Sequence, residues 1–245
     1  MLKTERMDRV RAALRAQGLT QMIVCDPKSV WYLTGVAVEP YERLLALYLP
    51  TEGEPVLFLN RLFNVPEPPC RTVWHTDTDK PVAQIAEVVD AGRPLGIDKE
   101  WPAKFLIPLM ETHPGMQVVL SSDCVDDCRA CKDAEEQALM REASRINDAV
   151  NEAAKHYIKA GMTEREVAEF IDAQFRAHGC EGPSFTTIVS FGANAADPHH
   201  EPDDTVLKEG DCVLFDMGCV KSRYCSDMTR TWFCGQPTEK QAAVH

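Results

Sequence analysis

The sequence lacks any apolar run approaching the length of a membrane span, which excludes a transmembrane helix. It also lacks an apolar stretch at its start. Met1-Leu2-Lys3-Thr4-Glu5-Arg6 reads as the opening of a charged helix, not as a secretory signal. Cations are scarce: 26 Lys and Arg stand against 38 Asp and Glu, for a formal net charge of −12. That balance argues against nucleic acid or an anionic membrane as partner, since both need clustered Lys and Arg. It tolerates a site built from carboxylates. The 10 cysteines have no secretory context and are expected as reduced thiols in the cytoplasm. Cys124, Cys128 and Cys131 lack a second Cys or His pair at the spacing of a zinc site. Cys212, Cys219, Cys225 and Cys234 read as small residues packing within a sheet rather than as ligands.

What is present divides in two. In the first half, strands alternate with helices. Residues 4–17 form an amphipathic helix with Met7, Val10, Ala13 and Leu14 on one face and Gly18 as its stop. Strands are expected at residues 21–25, 44–49, 55–59, 95–97 and 117–120, and helices at 80–91 and 101–112. Asp26-Pro27 reads as a turn, and residues 66–69 as a proline-rich loop. This alternation predicts an α/β domain. His75 and His113 lie beside loop signals and are expected at the surface, not as ligands.

A boundary is expected within residues 121–131, after which the period becomes helical. Leu139, Met140, Ala143, Ile146, Val150, Ala153, Tyr157 and Ile158 form an apolar stripe, with Asp133 as start cap and Gly161 as stop. The next helix carries the capping box Thr163 to Glu166, then Val167, Phe170, Ile171 and Phe175, with Gly179 as stop. Residues 184–190 read as a strand. Thr238 with Gln241 opens a last helix in the same manner.

Residues 211–235 carry the chemistry. Val213, Phe215 and Met217 alternate with Leu214, Asp216 and Gly218, which is a strand pattern. Residues 224–233 are a second such run, and Val220-Lys221-Ser222-Arg223 between them is a polar turn. Asp216 and Asp227 are symmetric about the Lys221–Ser222 junction. A two- or four-residue loop centred there sets them directly opposite each other. Like charges so placed repel, and carboxylates on a half-buried sheet need a cation or a proton between them. Oxygen ligands suit a hard or borderline divalent metal. A bulge that shifted the register would instead leave two solvated surface acids.

The wording adds to the spacing. Asp216-Met217-Gly218, followed by Ser226-Asp227-Met228-Thr229-Arg230-Thr231, resembles the metal-binding hairpin of the Xaa-Pro peptidase and prolidase family, which includes aminopeptidase P and creatinase and has the pita-bread fold. Gly192-Ala193-Asn194-Ala195-Ala196-Asp197-Pro198-His199-His200 resembles the same family's histidine loop. Cys25-Asp26-Pro27, Tyr32-Leu33-Thr34-Gly35, Gly53-Glu54-Pro55 and Gly96-Ile97-Asp98 resemble its creatinase-type N-terminal domain.

The resemblance implies an α/β creatinase-like N-terminal domain at residues 1–125, followed by the first half of an α+β pita-bread domain at residues 132–245. It implies metal-dependent hydrolysis of Xaa-Pro peptide bonds, two divalent metal ions (manganese, cobalt or zinc), a proline-containing peptide as substrate, and a homodimer. By the same resemblance Asp216 binds one metal, Asp227 bridges both, and His199 sits beside the scissile bond to donate hydrogen bonds or shuttle a proton. The plain alternative for His199 is a loop histidine paired with Asp197. Thr229, two residues past Asp227 on the same side of a strand, is a candidate donor to a carboxylate. Arg230 belongs on the opposite face. His200, in strand-like backbone, points away from His199.

The family's centre also takes a histidine and two glutamates from after the hairpin, and nothing here matches them. The chain is therefore expected to be the N-terminal part of a longer protein, with activity needing a C-terminal part. Two alternatives stay open. One is an inactive fragment or pseudoenzyme that only dimerises. The other is a creatinase-like, metal-free hydrolase of small C–N compounds, against which Asp216 and Asp227 count, because creatinase lacks the metal aspartates.

Overall fold

Polar caps and apolar runs lay out three apolar cores. In the computed structural model, which describes residues 3–245, the chain forms two compact units, one ending at Cys131 and the other beginning at Lys132. The expectation for Met1 and Leu2 lies outside the described residues.

In the first unit, α1 (Thr4–Ala16) turns at Gly18, whose φ of 73° an L side chain would resist, into β1 (Gln21–Val24). Asp26 then opens α2 (Pro27–Thr34), its carboxylate accepting the Lys28 and Ser29 amides. The dipeptide expected as a plain turn is therefore a helix start. Proline presets the same φ for a turn and for a first helical residue, so the two share one signal. β2 (Ala46–Pro50), β3 (Val56–Asn60), β4 (Arg71–His75), α3 (Pro81–Ala86), β5 (Leu95–Ile97), α4 (Ala103–Thr112), β6 (Val118–Leu120) and α5 (Asp123–Ala130) follow.

The six strands make one mixed sheet in the order β4-β3-β2-β1-β5-β6. Alternate residues feed two cores. Met22, Val24, Leu47 and Leu57 pack with Met7, Leu14 and Leu33 of the helices, while Ile23, Ala46 and Phe58 pack with Ile85 and Leu109. A sheet covered on both sides reads as near-continuous apolar runs, which is why these strands were legible. β4 was not, because it follows a proline-rich stretch and begins on an exposed arginine. It also corrects His75. That ring is only 2% exposed, with Nε2 3.1 Å from the Leu44 carbonyl and Nδ1 3.4 Å from Asn60 Nδ2. Pairing β4 along β3 carries it inside.

The second unit starts with α6 (Ala134–Tyr157), whose capping box joins Asp133 and Glu136. This helix ends at Tyr157, so Gly161, at φ 96°, turns the connection instead of stopping the helix. α7 (Glu164–Ala177) is capped by Thr163 and Glu166. Short strands follow: β7 (Gly182–Pro183), β8 (Ile188–Phe191), β9 (Cys212–Met217), β10 (Cys219–Lys221), β11 (Tyr224–Cys225) and β12 (Met228–Phe233). α8 (Glu239–Val244) closes the chain with the Thr238–Gln241 capping box. The strands form two three-stranded sheets, β12-β9-β8 and β11-β10-β7. Val189, Phe191, Val213, Phe215 and Met217 pack on Ala143, Val150, Val167, Ile171 and Phe175 of the two long helices. By strand alternation, Ile188, Leu214 and Asp216 then belong to the opposite face.

Candidate functional site

The hairpin turns on Ser222 (φ 50°) and Arg223 (φ 67°). Two successive positive φ values make a two-residue turn of type I′, whose twist matches the flanking strands. The pairs Lys221↔Tyr224 and Val220↔Cys225 leave it, and beyond the bend Met217 pairs with Met228 and Asp216 with Thr229. The expected opposition of Asp216 and Asp227 is thereby corrected. The turn is centred one residue later than the symmetry of the acids suggested, and that moves every partner by two. Asp227 falls across from Gly218. It is a diagonal neighbour of Asp216 on the same face, a relationship that spaces residues by about 7 Å and eases their repulsion.

Between the two aspartates the ladder passes from one sheet to the other. Ser226 N donates to the Cys219 carbonyl over 2.9 Å, Cys219 N to Ser226 Oγ over 3.0 Å, and Ser184 Oγ to the Ser226 carbonyl over 2.8 Å. Asn147 Nδ2 of α6 donates to the Met217 carbonyl over 3.0 Å. Gly218 sits at the centre of this seam, where a Cβ would collide with the Ser226 carbonyl and the Ser184 hydroxyl.

Asp216 is half-buried, and its Oδ1 accepts from Thr229 Oγ1 at 2.9 Å. Asp227 is exposed and forms no hydrogen bond or ion pair among the described residues. Arg230 is exposed and donates to the Thr229 carbonyl, 2.8 Å away. No described lysine or arginine pairs with either aspartate. Two carboxylates on one face without an internal cation fit a divalent ion in the chemistry of their donor atoms. Cys212, paired with Phe233, and Cys234, the residue after Phe233, stand at the far end of the β9–β12 ladder from Asp216. Burial, with Asp211 adding to it, raises the Cys212 thiol, and burial with Glu209 raises that of Cys234, so both stay protonated as sheet-packing groups.

The histidine loop links β8 to β9 through one short 3-10 turn, Gly192–Ala196. His199 is exposed. Its amide donates to Asp197 Oδ1 at 2.9 Å, and its ring has no hydrogen bond among the described residues. The two histidines sit at a turn, not in strand-like backbone. His200 points inward, with Nε2 2.6 Å from Oε2 of Glu164, a residue with 0% exposure. Asp203 lies alongside, its carboxyl held below the ordinary aspartate value chiefly by the Thr205 hydroxyl. Among the described residues, Glu164, His200 and Asp203 form a trio of potential ligands within 4.8 Å of one another, whereas Asp216, Asp227 and His199 form no such trio.

Sequence reasoning missed Glu164. The signal was available: Glu164 shares the buried stripe of α7 with Val167, Ile171 and Phe175, so an acid occupies a core-facing position. An open cleft of about 750 Å³ runs along β12 and α8 past Thr229, Phe233 and Val244; neither aspartate nor His199 lines it.

Residues 138–245 match the model of metallopeptidase family M24, and residues 6–131 that of the creatinase/prolidase N-terminal domain. An uncharacterised peptidase of Staphylococcus aureus is 33% identical over 233 residues, covering 91% of this chain and 64% of that protein. The chain thus spans a little under two thirds of that curated relative. A crystal structure of prolidase from Thermococcus sibiricus superposes with a TM-score of 0.90 at 29% identity, covering 100% of this chain and 69% of that one. Dipeptidase PepE from Mycobacterium ulcerans superposes with a TM-score of 0.88 at 30% identity, covering 98% of this chain and 67% of that one. The architecture is accordingly a creatinase-type N-terminal domain followed by part of a pita-bread domain.

Proposed function

Because the chain belongs to metallopeptidase family M24, with a creatinase/prolidase N-terminal domain ahead of the M24 segment, we propose that its complete protein hydrolyses Xaa-Pro peptide bonds at a centre of two divalent metal ions. The observation that carries this reading is Asp216 on the face of β9 turned from the core, with Asp227 two residues before its ladder partner Thr229 and no lysine or arginine among the described residues paired with either acid. Asp216 would hold one ion and Asp227 would bridge both. The ions, when bound, supply an activated water and a polarised carbonyl. The chain's own residues do the rest. Thr229 fixes one oxygen of Asp216, which leaves the other lone pairs for a ligand. His199, exposed and with its ring free of hydrogen bonds among the described residues, would donate to the scissile amide or pass it a proton.

The same reading takes a proline-containing peptide as substrate and a homodimer as assembly, with manganese, cobalt or zinc as the ions. No described helix is long and apolar enough to cross a membrane. The test is metal content and turnover of the complete protein. It should carry bound divalent metal and cleave an Xaa-Pro dipeptide faster than its Xaa-Ala counterpart. A metal-free protein that cleaves neither would overturn the reading.

A further inference from the structure

We infer that Glu164 is the positioning residue of the histidine loop: its buried carboxylate sets the course of residues 191–203 and so the place at which His199 is presented, an inference that rests on the role proposed above for His199.

The segment between β8 and β9 has one 3-10 turn and no strand. A connection of that length needs anchors for its backbone polar groups. Glu164 accepts from four residues along the segment, two through backbone amides and two through side chains. Oε1 accepts from the Phe191 amide at 2.7 Å and from Asn194 Nδ2 at 3.0 Å. Oε2 accepts from His200 Nε2 at 2.6 Å and from the Asp203 amide at 3.2 Å. The loop's return limb also closes over the first turn of α7, whose amides have no partner inside the helix. There the Glu164 amide donates to the Thr205 carbonyl over 3.2 Å and the Arg165 amide to the Asp203 carbonyl over 3.1 Å. A negative charge in a helix's first turn is favourable in its own right.

The bonds also assign the ring of His200. A carboxylate only accepts, so the proton of the 2.6 Å contact sits on His200 Nε2. Asn194 spends its two amide hydrogens on Glu164 Oε1 and on Thr205 Oγ1, 3.1 Å away. A metal reading of Glu164, His200 and Asp203 does not hold up, because a cation at Oε2 would displace both donors already there. The trio is a hydrogen-bonded clamp. His200, held inward, fixes the chain one residue beyond His199, which is itself exposed and whose amide is bonded to Asp197.

The test compares wild type with Glu164→Gln and with Asn194→Ala in the complete protein. Glutamine keeps the shape but turns an NH₂ group toward two donors. Glu164→Gln is expected to speed amide hydrogen exchange in residues 191–205 while exchange in α6 stays unchanged. Bound metal and KM should stay within twofold of wild type, while kcat on an Xaa-Pro dipeptide falls on the order of 100-fold, the scale of a misplaced catalytic group. Asn194→Ala removes one donor and spares the carboxylate, so it should show the same split at smaller amplitude. Unchanged loop exchange and kcat would overturn the inference, as would exchange accelerated throughout the unit with loss of bound metal and a raised KM, which marks a purely structural role. If the wild type cleaves no Xaa-Pro peptide, the proposed function fails on its own, and loop exchange still decides whether Glu164 holds the loop.

Discussion

Thr229 stands directly opposite Asp216 on the β9–β12 ladder, and its hydroxyl donates to Asp216 Oδ1 over 2.9 Å. A short side chain on a rigid strand thus orients a carboxylate and limits its rotamer freedom ahead of the metal binding proposed for it. Thr229→Val should lower divalent-metal affinity about 10- to 100-fold, and Thr229→Ser should restore most of it. Titration of the metal-free complete protein measures both.

Asp227 and His199 should separate binding from turnover. Asp227→Asn removes the charge of the proposed bridging carboxylate and is expected to abolish metal loading. His199→Ala should leave the metal bound and slow hydrolysis by about 100-fold or more, the usual contribution of a proton-transfer group. Metal content by elemental analysis, set beside kcat, checks the pair; equal metal loss in both variants would contradict these roles.

Gly218→Ala should damage the hairpin without touching a polar group of the site. The added methyl meets the Ser226 carbonyl and the Ser184 hydroxyl, so the seam between the two sheets must open. Overpacking of this kind costs about 1–3 kcal/mol. Urea unfolding should show the loss, and the Cys219 and Ser226 amides should exchange faster.

Phe215 is fully buried and meets Trp232 edge-on, with ring centroids 4.6 Å apart and planes at 79°. Phe215→Ala should destabilise the second unit by about 3–5 kcal/mol, since the cavity lies between a sheet and two helices that cannot both collapse into it. Thermal unfolding followed by tryptophan fluorescence reports it.

Asp203 makes part of the loop's stability depend on pH. Its folded-state pKa is lowered, chiefly by the Thr205 hydroxyl and then by the Thr205 amide. The contribution is therefore present above the unfolded value of about 3.9 and is lost as pH falls through the lower folded value. Thr205→Ala should move the Asp203 titration upward toward the ordinary value. Carboxyl chemical shifts followed by NMR measure this, and an unmoved titration would show that the hydroxyl is not the cause.

Much was legible because its physics is local. The start cap at Asp133 and the capping boxes at Thr163 and Thr238 join partners three residues apart, and all three form. The first unit's central strands announced themselves as apolar runs because their sheet is covered on both faces. The hairpin announced itself by alternation, and the wording around Asp216, Asp227 and His199 pointed to the family the comparisons found.

Other features depended on distant neighbours. The register of the hairpin hung on a turn with no Asn-Gly or Asp-Gly to mark it. The close approach of Ser226 to Gly218, and the pairing of β10 with β7, accompany the register that was chosen. Burial of His75 followed from a parallel pairing with β3 that leaves no local trace. Glu164 looked like an ordinary first-turn acid until a loop some thirty residues later converged on it, as its 2.7 Å bond from Phe191, 27 residues along, records. The sequence by itself determined the capped helices, the apolar central strands and the alternating hairpin, the order of the acids and histidines along the chain, and to which family they belong. Only the tertiary structure decided which residues face each other and which carboxylate is buried, because register and burial are set by contacts between residues far apart in the chain.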